Sequence, residues 1–180
     1  MKYIKLFEDF EPHDPYELMI IPPNKQAEMI NHQIRKPIPN MNLVQDLIVL
    51  GANLDWQDEL SQDRTALHLA IYSHFSEIVR MLIDAGADLN VQDKHGDTPL
   101  HVAIMTNYPI IVQMLIDAGA DLNMQAKNGR TALHLAADLR EKEIVRMLIN
   151  AGARKDILDY RDRLPYDLAD TQELKKLLKP

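Results

Sequence analysis

Histidines 68, 101 and 134 stand at an even 33-residue spacing, the first arrangement in this chain whose chemistry must be decided. Three such rings suggest a metal array. Zinc bonds imidazole nitrogen at about 2 Å, whereas equivalent positions of stacked helical units lie roughly 10 Å apart, so the three cannot share one ion. Each histidine follows a threonine by three residues, in Thr65-Ala66-Leu67-His68, Thr98-Pro99-Leu100-His101 and Thr131-Ala132-Leu133-His134, and a structural role is expected. With no cysteine, thiolate ligands, thiolate nucleophiles and disulfides are all excluded. His74 and Glu77 form the nearest approach to a paired constellation, but no third ligand stands nearby. The serines are Ser61, Ser73 and Ser76, none in a G-x-S-x-G setting. All six glycines are spread through the chain, so no phosphate loop can be built. No catalytic, metal or cofactor site is expected, and a small hydrolase is the poorest fit among the functions considered.

The elements that carry these histidines follow from a second periodicity. Each threonine opens a near-identical phrase: Thr65-Ala66-Leu67-His68-Leu69-Ala70, Thr98-Pro99-Leu100-His101-Val102-Ala103 and Thr131-Ala132-Leu133-His134-Leu135-Ala136. On the same beat, Gly86-Ala87-Asp88-Leu89-Asn90 returns as Gly119-Ala120-Asp121-Leu122-Asn123 and, altered, as Gly152-Ala153-Arg154-Lys155-Asp156. In the unit 93–125, Gly96 supplies a positive φ, Thr98 an N-cap hydroxyl and Pro99 a first helical residue. An inner helix is expected from about 99 to 106, with Leu100, Ala103 and Ile104 on one face. Asn107 tolerates the left-handed turn that follows. Pro109 opens an outer helix with a stripe of Ile111, Val112, Leu115 and Ile116, closed by Gly119.

These phrases resemble the ankyrin-repeat signature, T-P-L-H-x-A every 33 residues. The resemblance covers 41–180 well and 22–40 loosely. It implies an all-α helical solenoid of stacked helix-turn-helix units with short β-hairpin-like turns, about five units including caps. Residues 1–21 form an N-terminal arm and proline-rich linker, and 22–180 the repeat domain, divided near 22–55, 56–92, 93–125, 126–158 and 159–180. Each histidine would hydrogen-bond within its threonine turn and tie adjacent units together. The resemblance further implies a non-catalytic protein-protein interaction module, with contacts from the turn tips and the exposed side of the inner helices. The corresponding residues are Arg64, Tyr72 and Ser73; Lys94, His95, Asp97, Met105 and Thr106; and Lys127, Asn128, Arg130, Asp138 and Leu139, to which the enlarged first turn adds Asp58, Glu59 and Leu60. They differ between copies while the framework stays fixed. The leucines and asparagines Leu82 with Asn90, and Leu115 with Asn123, are similar to the sites that asparaginyl hydroxylases modify in animal ankyrin repeats, although the same asparagines have a structural role in the hairpin.

Composition narrows the partners. The net charge of −7 argues against a nucleic-acid backbone. The charge is uneven, at −1 over residues 1–40, −7 over 41–97 and +1 over 98–180. Such polarity along a stack leaves open an alternative function, a structural subunit that self-associates weakly, head to tail. No apolar run approaches the roughly 18 residues of a membrane span. The acidic residues Glu8, Asp9 and Glu11 stand where a signal peptide would be apolar, so a cytoplasmic location is expected.

The ends depart from the beat. Asn24 is read as capping a helix from about 25 to 35, broken by Pro37 and Pro39, and Asn42 as opening an outer helix 43–50. Gly51 to Gly86 spans 35 residues, so two extra residues enlarge the first turn, where Leu60 is a contact candidate and Trp56 a packing residue at the base. Residues 3, 6, 7 and 10 place Tyr, Leu, Phe and Phe on one face of a short helix, suited to docking on the first repeat or on a partner. At the other end, Leu164 and Asp167 replace the threonine and histidine, and Thr171 caps a closing helix 172–178.

Overall fold

The computed structural model describes residues 18–179. The amphipathic stretch 3–10 and most of the linker lie outside them. Among the described residues, ten α-helices form five antiparallel pairs. The inner layer is α1 (Pro23–Ile34), α3 (Ala66–Tyr72), α5 (Pro99–Met105), α7 (Ala132–Asp138) and α9 (Pro165–Leu168). The outer layer is α2 (Met41–Val49), α4 (Ser76–Asp84), α6 (Pro109–Asp117), α8 (Lys142–Asn150) and α10 (Gln172–Leu178). Each inner helix packs on its own outer helix and on the next inner helix, and the outer helices stack in the same order. Among the described residues there is no strand, only an isolated bridge between Asp58 and Arg64.

One core runs through all five pairs because the same faces turn inward in every copy. Outer helices bury Ile78, Val79 and Leu82; Ile111, Val112 and Leu115; and Ile144, Val145 and Leu148, all completely. Full burial of each such aliphatic side chain stabilises the fold by about 1.5–3 kcal/mol. Inner helices contribute Leu67, Leu100 and Leu133, with Ala70, Ala103 and Ala136 letting the neighbouring helix approach. Between the helices of a pair, His74, Asn107 and Arg140 take positive φ values of 59°, 48° and 65°. Asn107 and His74 are residue types enriched in this conformation, and Arg140 is not.

The turns between pairs project as fingers, joined by backbone hydrogen bonds. The amides of Lys94, Lys127 and Tyr160 donate to the carbonyls of Gln62, His95 and Asn128 at 2.8, 3.0 and 3.2 Å. At Gly129 the approach is so close that an added Cβ would lie 2.4 Å from the Tyr160 ring and 2.6 Å from its amide nitrogen. The enlarged first finger holds its two extra residues in a 3-10 turn, Glu59–Ser61, followed by Gln62 and Asp63 at positive φ.

Two expected caps move. Asn40, rather than Asn42, caps α2, its Oδ1 accepting from the Leu43 amide at 3.1 Å. Helix α1 begins after Pro22, with Pro23 in its first turn, because a fixed proline φ suits that place without a side-chain cap. The side chain of Asn24 instead accepts from Asn53 at 2.9 Å. At the C-terminal end Thr171 caps α10 as expected, at 3.2 Å from the Leu174 amide. Asp167 accepts from the Leu164 amide at 2.8 Å, doing the work the histidine does elsewhere.

Candidate functional site

The three histidines are buried, with both ring nitrogens engaged. In each, Nδ1 accepts from the threonine amide at 3.2–3.3 Å and lies 2.8–2.9 Å from the threonine hydroxyl. Nε2 faces the carbonyls of Asp97, Arg130 and Arg163 at 3.1, 3.2 and 3.0 Å. A carbonyl only accepts, so Nε2 carries the proton and the ring is neutral. Burial favours that state, lowering the pKa of His68 from 6.5 to about 4 and moving those of His101 and His134 the same way. Each ring thus binds its own helix start to the next finger. His74, by contrast, packs against Tyr108 with ring centroids 5.1 Å apart and planes tilted by 57°, and Glu77 is exposed.

Two further side-chain ladders hold the fingers, and sequence reasoning missed one of them. Gln57, Gln92 and Gln125 each donate twice, to a carbonyl of their own finger and to one of the next, namely Gln92, Gln125 and Leu158. These glutamines follow the same 35- and 33-residue intervals as the glycines, so the signal was present in the period itself. Asp55, Asn90 and Asn123 accept from the amides of Asp88, Asp121 and Arg154 at 2.8, 2.8 and 2.9 Å. The structural role of both asparagines is therefore direct.

On this scaffold the candidate contact residues fall at two levels. Glu59, Leu60, Lys94, His95, Lys127 and Asn128 are exposed at the finger tips. Tyr72, Met105 and Asp138 end the inner helices, and Ser73, Thr106 and Leu139 follow them as C-caps. Asp58 does not belong to the surface. It is 4 % exposed, accepts from the Leu60 amide at 3.0 Å and is paired with Arg35, the C-cap of α1. That pairing spans 23 residues and was invisible to a local reading. The Thr106 hydroxyl is also occupied, donating back to Val102 and Ala103 carbonyls at 3.0 and 3.2 Å.

Equivalent positions eight residues apart bridge finger to helix end, and the three copies differ. Arg64 lies 4.2 Å over the Tyr72 ring, donates to its hydroxyl at 3.1 Å and reaches Asp93 at 3.4 Å. Arg130 pairs with Asp138 at 2.9 Å and approaches Asp159 at 3.9 Å. Burial would push the Asp159 carboxyl up, but hydrogen bonds from Arg163 and from the Arg161 and Arg163 amides outweigh it and hold it at about 2. Between these closed pairs stands an open one. Asp97 and Met105 make no such contact, and Asp97 has no ion-pair partner within 4.0 Å among the described residues. Burial, and then the neighbouring Asp93, raise its pKa. Met105 and Leu139 are 39 % and 42 % exposed.

No three His, Asp or Glu side chains among the described residues are placed to hold a metal ion. No helix among them is long and apolar enough to cross a membrane.

The class defined by this architecture is a helical-hairpin solenoid with projecting fingers. A family model for ankyrin repeats, in three copies, matches residues 36–126, and a single-repeat model matches 128–163. The chain belongs to the ankyrin-repeat family, whose members are generally protein-interaction modules and typically non-catalytic. Comparison with curated proteins returns no match.

Proposed function

We propose that this chain is a non-catalytic module that binds a partner protein along the side formed by its finger tips and inner-helix ends, centred on Asp97, Met105 and Lys127. The observation that supports this is the open copy. Arg64 and Arg130 are each closed on a neighbour, whereas the half-buried Asp97 carboxylate of the repeat between them makes no ion pair within 4.0 Å among the described residues, and Met105 at the end of its inner helix is partly exposed. A half-buried, unpaired carboxylate in the same repeat as a partly exposed apolar side chain suits a partner that brings a cation or hydrogen-bond donor and an apolar group. Lys127, exposed at the adjacent tip, adds a charge at the rim.

The test is capture of a partner by the immobilised chain, repeated with Met105→Glu and Lys127→Glu together and with Gln113→Lys on the outer helix α6. Capture lost in the double variant, with its thermal unfolding unchanged, is the expected result. Capture that survives the double variant but disappears with Gln113→Lys would move the binding face to the outer layer.

A further inference from the structure

The finger 126–130 departs from its neighbours at one position, and the departure sets up chemistry on its own backbone. In the fingers on either side an aspartate closes the turn. Asp93 Oδ1 accepts from the His95 and Asp97 amides at 2.8 and 3.1 Å, and Asp159 Oδ1 from the Arg161 and Arg163 amides at 2.8 and 3.1 Å. The residue on that beat here is Ala126, whose side chain offers no acceptor. The Arg130 amide turns instead to Asn128 Oδ1, at 2.9 Å. The Asn128 carboxamide is thereby folded back over the peptide that follows it, its carbonyl polarised by a hydrogen bond.

The next residue is Gly129, and Asn128-Gly129 is the only asparagine-glycine pair in the chain. A carboxamide carbon held in this way is open to attack by the following backbone nitrogen, and glycine has no side chain to obstruct it. In the folded finger that nucleophile is withheld. Gly129 is buried, and its N–H donates to the Ala126 carbonyl at 2.8 Å. Its carbonyl accepts from Gln125 Nε2 at 2.6 Å, and the Asn128 carbonyl accepts from the Tyr160 amide at 3.2 Å. Asn128 itself is exposed at the tip.

We propose that Asn128 is a site of spontaneous deamidation gated by the opening of this one finger. Once the finger opens, the Gly129 nitrogen gives its proton to a base in the solvent and bonds to Asn128 Cγ. The Cγ–Nδ2 bond breaks, and the departing nitrogen takes up a proton and leaves as ammonia, so that a five-membered imide remains. Water then adds to either imide carbonyl and yields aspartate or isoaspartate. Aspartate puts a new negative charge between Lys127 and Arg130. Isoaspartate lengthens the backbone by one carbon beside Gly129, where even an added Cβ would lie 2.4 Å from the Tyr160 ring and 2.6 Å from its amide nitrogen. A finger that reacts by that branch does not reseat on Tyr160, so the change runs one way.

The test follows residue 128 by peptide mass mapping while the full chain is held at mildly alkaline pH, folded and in urea. Conversion at Asn128 ahead of every other asparagine in urea, and at least about tenfold slower in the folded chain, is expected. Equal rates in the two states overturn the gate, and earlier conversion elsewhere overturns the site. Gln125→Ala releases the Gly129 carbonyl and should speed the folded reaction about tenfold while leaving the rate in urea unchanged. An unchanged folded rate in that variant contradicts the gate. If the variant does not fold, urea below the unfolding midpoint decides in the unaltered chain. A rate that climbs before the helical signal falls is expected, and one that climbs only with it contradicts local opening.

Discussion

His68 is held neutral because protonating Nδ1 would break its acceptance from Thr65 and place a charge in the core. Its folded pKa of about 4 lies below the ordinary 6.5, so the unfolded chain binds more protons between those values. Stability is then complete above pH 6.5 and declines as pH falls toward 4, with His101 and His134 acting in the same direction. Asp159 contributes in a lower window, from 3.8 down to about 2. Urea midpoints at pH 7, 6 and 5 should therefore fall steadily, and a flat profile would contradict the neutral-ring assignment. A second contrast separates backbone conformation from crowding. Gly119 and Gly129 both have positive φ, 88° and 78°, but a Cβ at Gly119 meets nothing within 4 Å. Gly119→Ala should cost about 1 kcal/mol and Gly129→Ala clearly more, because the Tyr160 backbone must also move. Thermal unfolding of the two variants checks the order.

Helices and fingers were legible in the sequence to different degrees. The outer helices α4, α6 and α8 follow from apolar stripes of helical period, and the inner ones from the threonine, proline and histidine at their starts. The contact residues were legible as slots, not as free groups. Nothing local reveals that Asp58 is taken by Arg35, or that Arg64 is closed on Tyr72 and Asp93 while Asp97 stays open, since each outcome depends on residues brought together by stacking. The cap of α2 was missed by two residues because Asn40 and Asn42 are equally good cap residues and only geometry separates them. The glutamine ladder makes a prediction at this scale. Gln92 donates at 2.7 Å to the Gly96 carbonyl and at 2.9 Å to the Gln125 carbonyl. Gln92→Ala should cost about 1–3 kcal/mol, and hydrogen exchange should rise in the fingers at 93–97 and 126–130 before it rises in the helices.

Across the whole molecule, units that each bury one face on a neighbour have no independent stability, so local damage must be felt along the stack. Outer helix α8 is fastened to the closing helix α10 by Lys142 and Arg146 with Glu173, and Arg140 pairs with Asp170 at 2.7 Å. At the opposite end sits Trp56, the only tryptophan, half-buried at the base of the first finger. Its fluorescence therefore reports the N-terminal units alone, while Leu148 is buried completely in α8. Leu148→Ala removes about 2–5 kcal/mol of core packing at the far end. Urea unfolding of that variant, followed by Trp56 fluorescence, tests the shared interior directly. A midpoint shifted downward together with the helical signal is expected, and a Trp56 transition that stays where it is in the unaltered chain contradicts a shared interior.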